Sequence, residues 1–405
     1  MPITSMANAA RIFQQQPSST RGSSMKFQLR PINAALTLAC IAMAYGQAAL
    51  ADVTVKIGSA EPLTGNIAHM GQDAADGVKL AVDQINKAGN LVIGGQKVVL
   101  EVESLDDQAD PKTGTNVAQK LVDDGVVAVI GHLNSGVSIP ASKIYSDNGV
   151  TQITPGSTNP QYTLQGYKTA FRVIGTDAQQ GPALAKYAQN QKVKTVAIVD
   201  DATAYGQGLA DQFEKTAKAE GIQVLSRDAT NDKATDFKAI ITKIKAERPD
   251  AIMYGGEDAT AGPFAKQAMQ LAVTAKILAG DGVCTTNLAR LAGNAADNVV
   301  CSVAGGDLSA MAGSAAFSKD LKAAYGHDPV VYSAVAYSAV YVVVDAMKRS
   351  NSITRASILA AMPSTNLNTL IGHIRFDEHG DLKDSSISLY KYVKGQRTLL
   401  AVEKM

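Results

Sequence analysis

The 405-residue chain contains no tryptophan, and aromatic residues account for only 5% of it. That scarcity argues against a carbohydrate-stacking surface and suits closely packed βα units rich in alanine, valine and glycine. Neither sign of charge is in excess, with 38 Lys+Arg against 37 Asp+Glu. The chain therefore has no basic field to hold a nucleic acid or an anionic membrane surface. The 5 histidines are scattered and no Cys-x-x-Cys occurs, so the sequence implies no metal site and no cofactor. Also missing are a Gly-x-Ser-x-Gly elbow, a His-Glu-x-x-His pair and a phosphate loop. No local motif points to an enzyme, although groups assembled from distant residues leave no such motif. No Pro/Ser-rich linker divides the chain. With 46% hydrophobic residues it is long enough for one large or two medium α/β domains with full cores.

The N-terminal segment carries the compartment signal. Residues 1–24 are polar and rich in Gln and Ser, and they lie upstream of a good start at Met25; they read as a mis-called start or leader. Residues 25–51 combine basic Lys26 and Arg30, an apolar stretch from about Ala34 to Tyr45, and Ala49-Leu50-Ala51 as a small-x-small cleavage site. This is the pattern of a secretory signal peptide, and the apolar run is shorter than the ~20 residues that span a bilayer. The mature chain is expected to begin at Asp52. Thr37-Leu38-Ala39 before Cys40 lacks the upstream leucine of a lipoprotein signal. With Cys40 removed, Cys284 and Cys301 remain. An oxidising compartment makes them a candidate disulfide, two separate core thiols being the other reading.

Downstream, strand-like and helix-like runs alternate. Residues 53–59 read as a strand, and Ala74, Val78, Ala81 and Ile85 recur at helical spacing before Gly89. A strand at 98–105 leads to Asp110-Pro111, a helix cap followed by a first-turn proline, and then to a strand at 126–130. Further strands fall at 151–154, 195–200, 222–226 and 251–254, with helices at 208–220 and 237–247. Residues 315–362 are mostly helical, and a short β segment follows at 387–393. Such alternation predicts parallel sheets covered by helices on both faces. The size of the chain calls for two lobes, joined by strands that cross between them.

Ligands of open α/β sheets bind beyond the carboxyl ends of strands, so the turns after the strands matter most. Gly131-His132-Leu133-Asn134-Ser135-Gly136 follows one strand and Pro155-Gly156-Ser157-Thr158 another. Small residues with hydroxyls and free backbone N–H groups suit a carboxylate, while Ser135 and Thr158 also read as ordinary helix N-caps. After the strand ending at Ala279 comes Gly280-Asp281-Gly282. There the acid is either a turn residue or a partner for a cation. Two carboxylate-receiving loops and one facing acid complement a zwitterion.

These residues resemble the leucine/isoleucine/valine-binding proteins, type I periplasmic binding proteins of branched-chain amino acid ABC importers. The similarity runs through Asp106-Asp107 with Asp110-Pro111-Lys112, Val129-Ile130-Gly131-His132, Ile153-Thr154-Pro155, Asp177 with Gln180-Gly181-Pro182, Tyr205-Gly206 with Gly208-Leu209-Ala210, Tyr254-Gly255-Gly256, and Asp377-Glu378 with Gly380-Asp381-Leu382-Lys383. It implies two doubly wound parallel-sheet lobes joined by a three-strand hinge near Val173, Val303 and His373. The first lobe would hold 52–172 plus 305–372, the second 176–301 plus 375–405. The resemblance assigns the ligand carboxylate to Ser135 and the Thr158 backbone, and the ammonium to the Gly156 carbonyl, the Thr158 hydroxyl and Asp281. Tyr205 would close over the ligand.

Departures from the family pattern fall on the side-chain pocket. Met70 stands where an aromatic residue is usual, Glu257 replaces a tyrosine, and Asp281 replaces a glutamate. The first-lobe disulfide of the enteric relatives is missing, Ala109 and Asn134 standing at its positions. The expected protein is a monomeric periplasmic receptor that binds a free amino acid, leucine, isoleucine or valine first, and passes it to permease subunits. The other reading is a periplasmic sensor that presents a polar amino acid or amide to a receptor.

Overall fold

A computed structural model describes residues 52–404; the leader and signal-peptide readings at 1–24 and 25–51 lie outside the described residues. The strands are β1 Val53–Glu61, β2 Val92–Ile93, β3 Gln96–Asp106, β4 Ala128–Gly131, β5 Thr151–Thr154, β6 Ala170–Arg172, β7 Thr195–Asp200, β8 Gln223–Ala229, β9 Ala251–Gly255, β10 Lys276–Ala279, β11 Val299–Val303, β12 Leu367–Thr369, β13 Gly372–Ile374, β14 Ser386–Val393 and β15 Gln396–Lys404. The α-helices are α1 Ala68–Ala88, α2 Pro111–Asp123, α3 Ser135–Asp147, α4 Gln161–Leu164, α5 Asp177–Asn190, α6 Ala204–Ala219, α7 Lys238–Glu247, α8 Asp258–Gln270, α9 Thr286–Ala292, α10 Ser314–Tyr325, α11 Ser333–Ser350 and α12 Arg355–Ala361.

Local chemistry sets many of these boundaries. Buried Ala74, Val78, Ala81 and Ile85 form the core-facing stripe of α1, and Gly89 ends the helix in the left-handed conformation at φ 64°. Asp110 caps α2 by accepting from the Thr113 N–H at 2.7 Å, with Pro111 in the first turn. Helix α6 starts at Ala204, one turn before the predicted 208, because the Thr203 hydroxyl accepts from the Gly206 N–H at 3.0 Å.

Six strands form a first sheet in the order β2-β3-β1-β4-β5-β6, and seven form a second in the order β15-β14-β11-β10-β9-β7-β8. The central pairs of both sheets are parallel. The expected parallel sheets are thus present, with antiparallel strands added at their edges: β2 pairs antiparallel with β3, and β14 with both β11 and β15. The predicted segment at 387–393 is one arm of a hairpin closed by Lys394 and Gly395, both at positive φ.

The chain passes between the sheets three times, after β6, after β11 and between β13 and β14. Helices α10 and α11, which follow the second passage, return to pack on α1 of the first sheet. Gly77 permits the close crossing of α1 and α11, since a Cβ there would stand 2.1 Å from the Ser333 carbonyl oxygen. Among the described residues no helix is long and apolar enough to cross a membrane.

Cys284 and Cys301 are bonded, with Cα atoms 5.4 Å apart. The bridge ties the loop after β10 to β11 and closes a loop with a sequence separation of 17. On the chain-entropy account a bridge of that span stabilises the fold by about 3 kcal/mol. The double variant Cys284→Ser, Cys301→Ser is expected to unfold at a lower urea concentration by a corresponding margin; an unchanged midpoint would show that the bridge adds nothing.

Candidate functional site

In each sheet the strand order reverses beside the strand that comes first in sequence, β1 in the first and β7 in the second, and ligands of such sheets bind outside the carboxyl ends of the strands at that point. The loops singled out in the sequence follow β4, β5, β7, β9 and β10 at those ends.

On the first lobe, Ser135 is the first residue of α3 and not its cap. Asn134 holds the cap position without a side-chain cap bond, and while its carbonyl accepts from the Val137 N–H at 3.0 Å, the N–H groups of Ser135 and Gly136 have no partner among the described residues. The Ser135 hydroxyl instead accepts from the Asn159 N–H at 3.2 Å, joining α3 to the loop after β5. Thr158 is no cap either, because the next helix, α4, begins at Gln161 with Pro160 before it.

The β5 loop is held from beneath. The Thr154 hydroxyl accepts from the Gly156 and Ser157 N–H groups, and the Ser157 hydroxyl reaches Ser138 Oγ at 2.6 Å. The fully buried Arg172 donates to the carbonyls of Ser157 and Asn159, and its Nε pairs with Asp381 at 2.7 Å. Gly156 is required, since a Cβ would lie 2.4 Å from Leu133 Cδ1. Thr158 Oγ1 is buried close to the Asp177 carboxyl but makes no hydrogen bond of good geometry.

On the second lobe, Asp281 is the centre of a hydrogen-bonded cluster. Its Oδ1 accepts from Gln180 Nε2 at 2.7 Å and from the Tyr205 hydroxyl at 3.0 Å, and its Oδ2 accepts from the Tyr332 hydroxyl at 2.9 Å. Ser302 Oγ donates to Gln180 Oε1 at 2.7 Å and thereby turns the amide nitrogen toward the acid. The side chain is thus more than a turn residue. A Cβ on Gly280 would stand 2.4 Å from the Tyr205 oxygen, and one on Gly282 would stand 2.1 Å from Glu257 Oε2, so a larger residue at either position would displace those side chains.

Among the contacts that cross between the lobes, four span the cleft. Tyr332 reaches Asp281, His69 Nε2 lies 2.8 Å from Asp258 Oδ2, Asn134 Nδ2 donates to Glu257 Oε1 at 3.2 Å, and Asn159 Nδ2 donates to the Ala204 carbonyl at 2.6 Å. They bring the Ser135, Thr158, Tyr205, Glu257 and Asp281 loops to one cleft, with Met70 buried at the start of α1 beside His69. Tyr332, Gln180, His69 and Asp258 were not singled out from sequence. Gln180 lies in a stretch quoted for the resemblance, but nothing local distinguishes Tyr332 from other tyrosines. Its place is fixed by Asp73 of α1, whose carboxylate accepts the N–H groups of Val330, Val331, Tyr332 and Ser333 at 2.8–3.0 Å.

The cleft carries more buried acid than base. Burial raises Asp281 even against its three donors, and burial with the charges of Asp201, Asp281 and Asp258 raises Glu257 well above the usual carboxylate range. Glu257 Oε2 has no protein donor. Among the described residues no group of three His, Cys, Asp or Glu is arranged to hold a metal ion. Uncapped helix N–H groups and hydroxyls on one side, with buried acids on the other, fit a small solute that carries both charges.

Two doubly wound sheets meeting across such a cleft define a two-lobed solute-binding protein. The chain belongs to the periplasmic binding protein family, whose sequence profile matches residues 54–396. It is 38% identical to a Leu/Ile/Val-binding protein of Rhizobium johnstonii over 87% of this chain and 95% of that protein. It is 35% identical to a leucine-, isoleucine-, valine-, threonine- and alanine-binding protein of Pseudomonas aeruginosa, over 85% of this chain and 91% of that one. Among solved structures, a leucine-binding protein of Thermotoga maritima aligns with a TM-score of 0.79 at 30% identity, covering 86% of this chain and 98% of that chain. A branched-chain amino acid transporter's substrate-binding protein from Streptococcus pneumoniae, in complex with isoleucine, aligns with a TM-score of 0.79 at 26% identity, covering 87% and 99%. The family is one of binding proteins and not of enzymes.

Asp177, buried beneath Thr158, is pushed up to about 8 by burial and by the charge of Asp281. Its folded value lies above an unfolded value of about 3.9, so the folded chain holds the proton longer. Its contribution to stability is present below about pH 4 and is lost as pH rises towards 8. Asp177→Asn is therefore expected to flatten the fall in melting temperature between pH 5 and 8; an identical slope in both proteins would remove Asp177 as a cause.

Proposed function

We propose that the protein is the amino-acid receptor of an ABC importer, exported to the periplasm through a signal peptide at 25–51 and acting as a monomer that delivers its ligand to permease subunits. The observation that carries this reading is Asp281, a buried carboxylate of the second lobe that is bonded across the cleft to Tyr332 of the first and acts on Asp177 beneath the Thr158 loop. The ligand carboxylate is received by Ser135 and the Thr158 backbone. The ammonium is held by the Gly156 carbonyl, the Thr158 hydroxyl and Asp281, with Tyr205 closing over the ligand. The unengaged Thr158 oxygen supports this assignment.

Lobes of 52–172 plus 305–372 and of 176–301 plus 375–405 close about passages near Val173, Val303 and His373. Hinge closure around a ligand is a general behaviour of periplasmic binding proteins, and ligand contacts made to both lobes only in the closed state drive it. Sheet membership of the segments supports these boundaries.

Leucine, isoleucine and valine are the leading ligands, on the names of the relatives and on Met70, an apolar and adaptable wall. A specific observation favours a second reading. Glu257 Oε2 is buried without a donor beside Asn134, which suits a polar amino acid or amide that a periplasmic sensor presents to a receptor.

The test is a panel of the twenty amino acids at ~1 mM against protein stripped of ligand by unfolding and refolding. A ligand with a dissociation constant of ~10 μM adds about 2.7 kcal/mol, enough to raise the melting temperature by several degrees. Shifts confined to leucine, isoleucine and valine are expected; shifts only with polar amino acids would transfer the assignment to the second reading. Asp281→Ala is expected to weaken binding by over a hundredfold, about 3 kcal/mol, by leaving the ammonium without its anion. Undiminished affinity in that variant would sink the amino-acid assignment.

A further inference from the structure

A cavity of about 430 Å³ shares no lining residue with the Asp281 cluster, although Val330 and Val331 beside Tyr332 border it, and it is lined by all three passages between the lobes: Val173 and Ile174 from the first, Val303 and Gly305 from the second, and Ile374 and Ser386 from the third. Engineered apolar cavities of ~150 Å³ already take up benzene, and small-molecule sites run from ~300 to ~1,000 Å³. The walls are mostly aliphatic, but Arg397 of β15 also lines the cavity. Its guanidinium lies 5.0 Å from the centre of the Tyr390 ring and donates to main-chain oxygens, those of Cys284 at 2.6 Å and Val330 at 3.4 Å. Among the described residues no carboxylate pairs with it. Of the acids, Asp384 also lines the cavity but is paired with Arg375 at 2.6 Å, and Asp307 accepts from the Tyr390 hydroxyl at 2.9 Å. Lys404 adds a second positive charge to the lining.

We propose that this cavity is a second small-molecule site, which takes an aliphatic or aryl monocarboxylate with its apolar body between the passages and its acid against Arg397. Neutral apolar molecules of the same shape bind less well, because they leave the guanidinium without an anion. The occupant also acts on the hinge. Rotation of the lobes displaces the three passages relative to one another and changes the cavity, so a molecule that fits the arrangement described here, with its four contacts across the cleft, favours it over a more open one. By linkage, such an acid and the amino acid of the cleft raise each other's affinity by the same factor. That coupling rests on the amino-acid reading of the cleft, whereas occupancy of the cavity does not.

Octanoate and 1-octanol are the probes, titrated calorimetrically into the purified protein and two variants. Gly305→Leu fills the cavity from a position where an added Cβ meets nothing within 4 Å, so its fold and melting temperature are expected to be kept. Octanoate should bind the wild type saturably and about tenfold more tightly than octanol, the margin of one charge-assisted contact. Gly305→Leu should abolish that binding, and Arg397→Gln should erase the preference for the acid. Equal binding of acid and alcohol by the wild type, or octanoate binding untouched by Gly305→Leu, overturns the proposal. Competition between octanoate and the amino acid of the cleft also overturns it, by placing the acid in the cleft. Octanoate at saturation should tighten amino-acid binding about fivefold; an unaltered affinity with octanoate bound removes the link to the hinge.

Discussion

A carboxylate taken out of water must be met by donors or by a cation, and Asp281 makes that requirement the organising constraint of the cleft. Its two oxygens draw on α5 through Gln180, on α6 through Tyr205 and on the residue before α11 through Tyr332. The first two belong to the second lobe and the third to the first. Other features follow from keeping this cluster in place: glycine on both sides of the acid, Ser302 to orient the Gln180 amide, and a disulfide that fixes the loop to the neighbouring strand.

A second buried carboxylate supports the first at a distance. Asp73 gathers the N–H groups that lead into α11, a concentration of donors at a helix start that an anion satisfies. It therefore does for α11 what Asp110 does for α2, but from another helix. The direction of the Tyr332 hydroxyl is set in this way by α1, the helix that also presents His69 and Met70 to the cleft. A change at Asp73 thus reaches the site without any residue of the site being altered.

The parts of this architecture that were legible in the sequence are the parts governed by near neighbours. The stripe of α1 and its glycine stop, the cap and proline of α2, and the small-residue loops after β4, β5 and β10 depend on residues a few positions apart. The sequence reading starts α6 a turn late because the cap at Thr203 competes with a glycine at 208 that resembles a beginning. Strand β15 escapes it for a different reason: it is a largely exposed edge strand, without the alternation of buried and exposed residues that marks a half-buried one. In the candidate site, Asp281 stands out through its glycines, but its partners Gln180 and Tyr332 lie 101 and 51 residues away. Pairings across such distances leave no period or spacing to read. The same holds for Asn134, notable in sequence for a missing cysteine and found donating to Glu257.

The interleaving of the chain has a consequence for the timing of folding. Helix α1 is made early, yet the helix that covers its apolar face, α11, lies more than 200 residues later, beyond most of the second lobe. As the chain emerges from the ribosome, its first lobe therefore lacks a wall until most of the polypeptide exists. Contacts between residues so far apart in sequence are slow to form, because loop closure precedes any gain from them. For a chain exported as proposed, crossing a membrane as a thread, this delay is useful: the same three passages that join the lobes keep the nascent chain from closing on itself too soon.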